Sequence, residues 1–239
     1  MRLRAALFAP VVVACLAAAS QAPKRPRDPW VFRGRVDDIE RAVTVALHAE
    51  LWIAYDSTTC ALRRAWNGRD GGASQAAADG ARLLDGSEGG TWWVLRDGVA
   101  RSPSVVWRGY AFRGQQVTLR YELVLDDVHI AIEETPELVR PTDLADDPAS
   151  IAPWVSRDML GLRRTFRASG IPAGASVSLA LHDEVRGNVI SQDLLDPFER
   201  SAERSGRRAL RARLPLRGAE AWGELIYFFD ARAASRARR

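Results

Sequence analysis

From Trp30 onward hydrophobic and polar residues alternate in short runs with a period of two, the spacing of a half-buried strand and not of a helix. Val43, Val45 and Leu47 alternate with Thr44, Ala46 and His48; after a break at Ala49-Glu50 the run Leu51 to Asp56 resumes, which predicts a hairpin, with Cys60 to Trp66 as a third strand. Thr91 to Arg96 leads into Asp97-Gly98, a tight-turn dipeptide, and Val105 to Phe112 follows as another strand. The clearest segment is Gln116 to Leu125, where Val117, Leu119, Tyr121, Leu123 and Leu125 face one way. Asp126-Asp127 makes the turn, and Val128, Ile130 and Ile132 then alternate with His129, Ala131 and Glu133. Leu162 to Ala168 and Val177 to His182 read as strands joined by Gly170 to Gly174. Leu210, Ala212 and Leu214 alternate with arginines, and Trp222 to Phe229 is apolar on both faces, as a central strand is.

Three stretches interrupt this pattern. Residues 67–90 are rich in glycine and predict a long mobile loop, with a short helix over Ala76 to Leu84. Residues 135–158 carry Pro136, Pro141, Pro148 and Pro153, which rule out a central strand and predict an excursion or lid. Asp193 to Ser205 has a modest helical period. About eleven short strands separated by turn signals therefore predict an all-β fold, an antiparallel β-sandwich with short helical excursions.

The N-terminus changes the setting. Arg2 and Arg4 precede an apolar stretch from Ala5 to Ala19, the form of an export signal over residues 1–20, with Ala17 and Ala19 as the small pair before cleavage. Lipoprotein processing at Cys15, after Val12-Val13-Ala14, is the alternative. The stretch is short of the roughly 20 apolar residues that span a bilayer, so the only expected membrane attachment is a lipid on Cys15. Residues 21–29, with Pro23, Pro26 and Pro29, read as a linker, residues 30–231 as one β-sandwich domain and 232–239 as a basic tail. Location is thus expected to be extracytoplasmic, periplasmic or secreted. Once the leader is removed Cys60 alone remains, so no intramolecular disulfide can form and the core must hold the fold.

Charge adds little. The formal charge is +4, and all basic residues but Lys24 are arginine, yet acidic residues are interleaved with them almost throughout. Such mixing makes a solvated surface and not a phosphate-binding stripe, so no nucleic-acid partner is expected.

Nor does a catalytic constellation emerge. His48, His129 and His182 stand at no metal-ligand spacing. The carboxylates Asp126, Asp127, Glu133, Glu134, Asp183 and Glu184 supply a glycosidase pair only if two of them face one cleft. Neither a phosphate-binding Gly-rich loop with lysine nor a Cys-X-X-Cys-His haem attachment site occurs, and no cofactor is expected. The eight tryptophans are more suggestive, because indole stacks on sugar rings. Trp52, Trp66, Trp92 and Trp93 bracket the glycine-rich loop.

Several blocks resemble a known domain. Pro29-Trp30-Val31-Phe32-Arg33, Val43 to His48, Leu51-Trp52-Ile53-Ala54-Tyr55-Asp56, Cys60-Ala61-Leu62 and Ala65-Trp66-Asn67-Gly68 resemble an N-terminal β-rich domain of large exported bacterial proteins that often precedes a c-type cytochrome module. Weaker likeness continues through Trp107-Arg108-Gly109-Tyr110, Val117 to Leu123, Ile132-Glu133-Glu134 and Leu162 to Phe166. That family continues past a Trp-Lys-Gly with an aromatic-Asp-Gly stretch and a His-Gly-Pro-Gln-Pro-like motif; here Asn67 replaces the lysine and residues 69–90 keep neither. The resemblance implies export, a β-rich fold and an exported partner such as a c-type cytochrome.

These observations lead to the expectation of a non-catalytic extracytoplasmic module that binds a glycan or an exported partner protein. Trp52, Tyr55 and Trp66 are the expected stacking rings, and Asp56 the expected acceptor of sugar hydroxyl protons. The alternatives are a carbohydrate-active hydrolase or lyase, and a structural or electron-transfer accessory protein.

Overall fold

The computed structural model describes residues 29–68, 82–85, 91–144, 155–180, 189–190, 199–202, 208–214 and 216–229. The leader with Cys15, most of the linker, the basic tail, His182, Asp183, Glu184 and the greater part of the glycine-rich stretch lie outside the described residues.

Among the described residues the chain forms strands β1 (Trp30–Val36), β2 (Ile39–His48), β3 (Leu51–Asp56), β4 (Leu62–Trp66), β5 (Arg82–Asp85), β6 (Trp92–Arg96), β7 (Val99–Arg101), β8 (Ser104–Arg113) and β9 (Gln116–Leu125). There follow β10 (Val128–Val139), a 3-10 turn at Pro141–Leu144, β11 (Leu160–Ser169), β12 (Ala175–Ala180), β13 (Val189–Ile190), β14 (Glu199–Ala202), β15 (Arg208–Arg213), β16 (Leu216–Arg217) and β17 (Glu220–Phe229). They make three antiparallel sheets. The first is the meander β1-β2-β3-β4-β5; the second has the order β13-β17-β11-β10-β9-β8, with β16 on β17; the third runs β14-β15-β12-β6-β7.

Short turns set the registers. Asp37-Asp38, Asp97-Gly98, Gly114-Gln115 and Asp126-Asp127 are each closed by a strand pair, Val36↔Ile39, Arg96↔Val99, Arg113↔Gln116 and Leu125↔Val128. The first residue of every one has positive φ, the conformation that two-residue hairpin loops require and that aspartate and glycine tolerate. The alternation read from the sequence then holds: Val117, Leu119, Tyr121 and Leu123 point inward, as do Val128, Ile130 and Ile132. The three sheets share one core, to which the first contributes Val43, Val45 and Ile53, the third Trp92, Val94 and Val177, and the second Leu119, Leu162, Phe166 and Leu225. Within the second sheet β17 is interior, buried on both faces from Leu225 to Phe229, as its unbroken apolar run predicts.

Three expectations fail. Pro136 does not end the strand pattern, because β10 runs through it to Val139 between β9 and β11. The ladder to β9 stops at Glu134↔Leu119, whereas the ladder to β11 continues through Pro136↔Arg164 to Val139↔Gly161. The missing N–H therefore falls where one of the two neighbours is no longer bonded. The 3-10 turn beyond it packs Leu144 on Val139, Ile226 and Phe228, with Val155 and Met159 alongside, so the described part of the expected excursion covers that end of the sheet. The predicted helices are corrected where the chain is described: Arg82–Asp85 pairs with β4, and Glu199–Ala202 with β15, as strands, while the rest of 76–84 and of 193–205 lies outside the described residues. Neither segment alternates cleanly, and long-range pairing decides their form.

Candidate functional site

The four residues expected to bind a sugar do not share a surface. Trp52 and Trp66 pair across β3 and β4 on the outer face of the first sheet, with ring centroids 6.0 Å apart, while Tyr55 points into the core on the opposite face. Trp66 and Tyr55 have no exposed surface and Trp52 is 8% exposed, so these rings have no face free to stack on a sugar. Gly68 lies against the Trp52 indole so closely that a Cβ there would meet Nε1 at 2.0 Å. Asp56 closes the turn after β3: its Oδ1 accepts from the Thr58 amide at 2.8 Å and from the Thr58 hydroxyl, and its Oδ2 lies 3.8 Å from Arg63. Strand alternation explains the split, since residues 52 and 55 differ by an odd number and must face opposite ways.

Tyr55 instead belongs to a buried polar hub. Its hydroxyl donates to Glu134 Oε1 at 2.5 Å, the Tyr121 hydroxyl donates to Glu134 Oε2 at 2.9 Å, and Arg164 Nε donates to Oε1 at 2.7 Å. Arg164 Nη1 donates to the Tyr227 hydroxyl at 3.2 Å, and its guanidinium lies 4.9 Å from the Phe166 ring centroid. Glu134 and Arg164 are wholly enclosed. Burial, and then the charge of Glu134, push the Tyr55 and Tyr121 hydroxyls well above the usual tyrosine range. Cys60, burial and Glu134 again acting, is pushed up to about 12, which makes it an inert thiol. No solvent reaches this hub, so its work is to tie β3 of the first sheet to β9, β10, β11 and β17 of the second. Sequence reasoning passed over it, although a signal exists: Glu134 continues the inward series Ile130, Ile132, and Arg164 lies between the inward Leu162 and Phe166. A charge of each sign in core register is the mark of a buried pair.

The exposed face of the second sheet carries an open trough. A cross-strand row Glu122, Ala131, Ser169, Glu220 runs over β9, β10, β11 and β17, beside a parallel row Arg120, Glu133, Arg167, Trp222. Two small side chains in the middle of the first row leave a trough of about 490 Å³, bounded also by Arg108. Arg108 donates to Glu122 Oε2, His129 Nδ1 lies 2.9 Å from Glu122 Oε1, Arg120 Nε donates to Glu133 Oε1 at 3.1 Å, and Arg167 Nη2 donates to Glu220 Oε1 at 2.9 Å. The hydrogen bonds from Arg108 and His129 hold the Glu122 carboxyl below the usual glutamate range. Trp222 stands at the end of the second row, 43% exposed, with the Arg167 guanidinium 5.0 Å from its ring centroid.

Of the carboxylates considered from sequence, Asp126 and Asp127 are exposed turn residues paired with Arg101 and Arg96. Glu133 and Glu134 are neighbours on one strand and face opposite ways, Glu133 into the trough and Glu134 into the hub. Among the described residues no three His, Cys, Asp or Glu side chains are grouped to hold a metal ion. His48 touches Glu50, whose carboxylate accepts from Arg140 at 2.6 Å. Compared with known protein families and with curated proteins, the chain finds no match in either.

Proposed function

We propose that the protein is a non-catalytic, extracytoplasmic binding module whose ligand is a glycan, held in the trough on the outer face of the second sheet. The observation that carries this reading is the trough itself, a solvent-open space of about 490 Å³ lined by arginine and glutamate, with the exposed Trp222 at the end of the adjoining row. Sugar hydroxyls both donate and accept, so a surface of interleaved guanidinium and carboxylate groups suits them, and an indole adds an apolar contact for a ring. The site thus moves away from the buried Trp52, Tyr55 and Trp66. Export is supported by the leader pattern, and an accessory role beside an exported c-type cytochrome by the resemblance of the N-terminal blocks.

A hydrolase or lyase has less support. Three carboxylates do face the trough, but each is engaged by an arginine, and Glu122, held ionised by Arg108 and His129, has no proton to give a leaving group near neutral pH. A glycan array probed with the purified protein is the test. Binding should weaken strongly in Trp222→Ala and be unchanged in Tyr110→Ala, which removes a comparably exposed aromatic on β8. No sugar retained at millimolar concentration, or equal retention by both variants, removes the proposal.

A further inference from the structure

We infer that the trough selects an acidic saccharide, whose carboxylate docks on the free edge of the Arg120 guanidinium; this rests on the glycan reading above and names the class of sugar. A guanidinium presents five N–H groups and no acceptor. Among the described contacts, Arg120 uses only Nε, toward Glu133, which leaves its Nη1 and Nη2 groups as an open fork. Arg167 uses one Nη2 donor toward Glu220, with its guanidinium carbon 5.0 Å from the Trp222 ring centroid, and its other N–H groups make no further hydrogen bond among the described residues. Both side chains are 43% exposed, and those donors are within reach of a ligand.

Fewer acceptors than donors remain. Glu122 has both oxygens engaged, one by Arg108 and one by His129. Glu133 and Glu220 each have one oxygen bonded to arginine and one left to accept a hydroxyl proton. The trough therefore offers more hydrogen-bond donors than acceptors, although its formal charges balance. A neutral sugar satisfies the surplus with weak hydroxyl acceptors. A uronate satisfies it with a planar carboxylate that matches the open fork in bidentate fashion, the stronger arrangement. Ala131 and Ser169, on the floor between Glu122 and Glu220, leave the width in which the ring lies. A volume of about 490 Å³ falls within the usual range for a small-molecule site, about 300–1,000 Å³.

Calorimetric titration of the purified chain with a galacturonate trisaccharide and with the neutral galactose trisaccharide of the same linkage tests this. The acidic sugar is expected to bind about tenfold tighter, the scale of one added charge-assisted hydrogen-bond pair. Arg120→Gln should abolish that preference while circular dichroism stays unchanged, and inorganic sulfate at equal concentration should not displace the sugar. Equal or tighter binding of the neutral sugar overturns the acidic class and leaves the glycan reading standing. Binding of neither overturns both. Acidic binding that survives Arg120→Gln, or that sulfate displaces, overturns the assignment of the carboxylate to this fork.

Discussion

At Arg164 and Glu134 a single side chain decides how much of the core stands. Two opposite charges with no exposed surface are tolerated because they meet each other: Glu134 accepts three bonds, and Arg164 donates to Glu134 and to Tyr227, its Nη2 alone being left without a hydrogen-bond partner among the described residues. Replacing one partner strands the other in a low-dielectric interior. Arg164→Met is therefore expected to lower the unfolding free energy by about 3–5 kcal/mol in urea titration, against about 1.5–3 kcal/mol for Tyr227→Phe, which removes one hydrogen bond to a charged group. Similar losses for the two variants would show that the ion pair is not the centre of the hub. Cys60 belongs to the same environment. Buried, and with its thiol pushed up to about 12, it should resist iodoacetamide at pH 8 in the native protein and react within minutes once urea unfolds the chain; rapid labelling of the native form would contradict this enclosure.

Strands of this chain are legible in proportion to how local their determinants are. Gln116–Leu125 and the hairpin it forms with β10 follow from alternation and a two-residue turn, both contained within the segment. β8 shows where alternation misleads. A bulge between Trp107 and Gly109 shifts its phase, so Val105 and Trp107 stand opposite the inward Leu123 and Tyr121, but Tyr110 and Phe112 stand opposite the inward Leu119 and Val117. Gly109, at φ +117°, takes the backbone there, and the bulge with Arg108 beside it guards an edge strand against pairing with another chain. Pro136, Arg82–Asp85 and Glu199–Ala202 were illegible for a different reason: what permits or imposes a strand at each is the neighbour it meets, and no local propensity records that neighbour. The same holds for the site, since Glu122, Ala131, Ser169 and Glu220 form a row only through three cross-strand registers. Gly161 marks another such meeting. A Cβ on it would lie 2.7 Å from Val139 Cγ2 and 2.9 Å from Phe228 Cε1, so Gly161→Ala should cost about 1–3 kcal/mol by overpacking at the covered end of the sheet. A thermal melt unchanged from that of the parent would show that β10 and β17 yield easily there.

For the molecule as a whole, the hub makes packing between the first and second sheets depend on proton occupancy. Tyr55 comes from β3, Tyr121 from β9 and Tyr227 from β17, and all three are fully buried with hydroxyl pKa values raised above the ordinary tyrosine range, burial being the largest cause in each. The folded state therefore holds its phenol protons more tightly than the unfolded chain does. That difference contributes nothing adverse below the unfolded value near pH 10. Above it the unfolded chain releases protons that the folded one retains, and stability falls by about 1.4 kcal/mol per pH unit for each tyrosine. With no disulfide among the described residues to hold the sheets together, the fall should end in a cooperative loss of structure. In the Tyr110→Phe variant, which removes the exposed tyrosine, phenolate absorbance at about 295 nm should rise together with the loss of the β-sheet circular dichroism signal, both at a pH above the unfolded tyrosine value of about 10. Phenolate appearing while the sheets remain intact would mean that solvent reaches the hub, and that it does not seal the two sheets against each other.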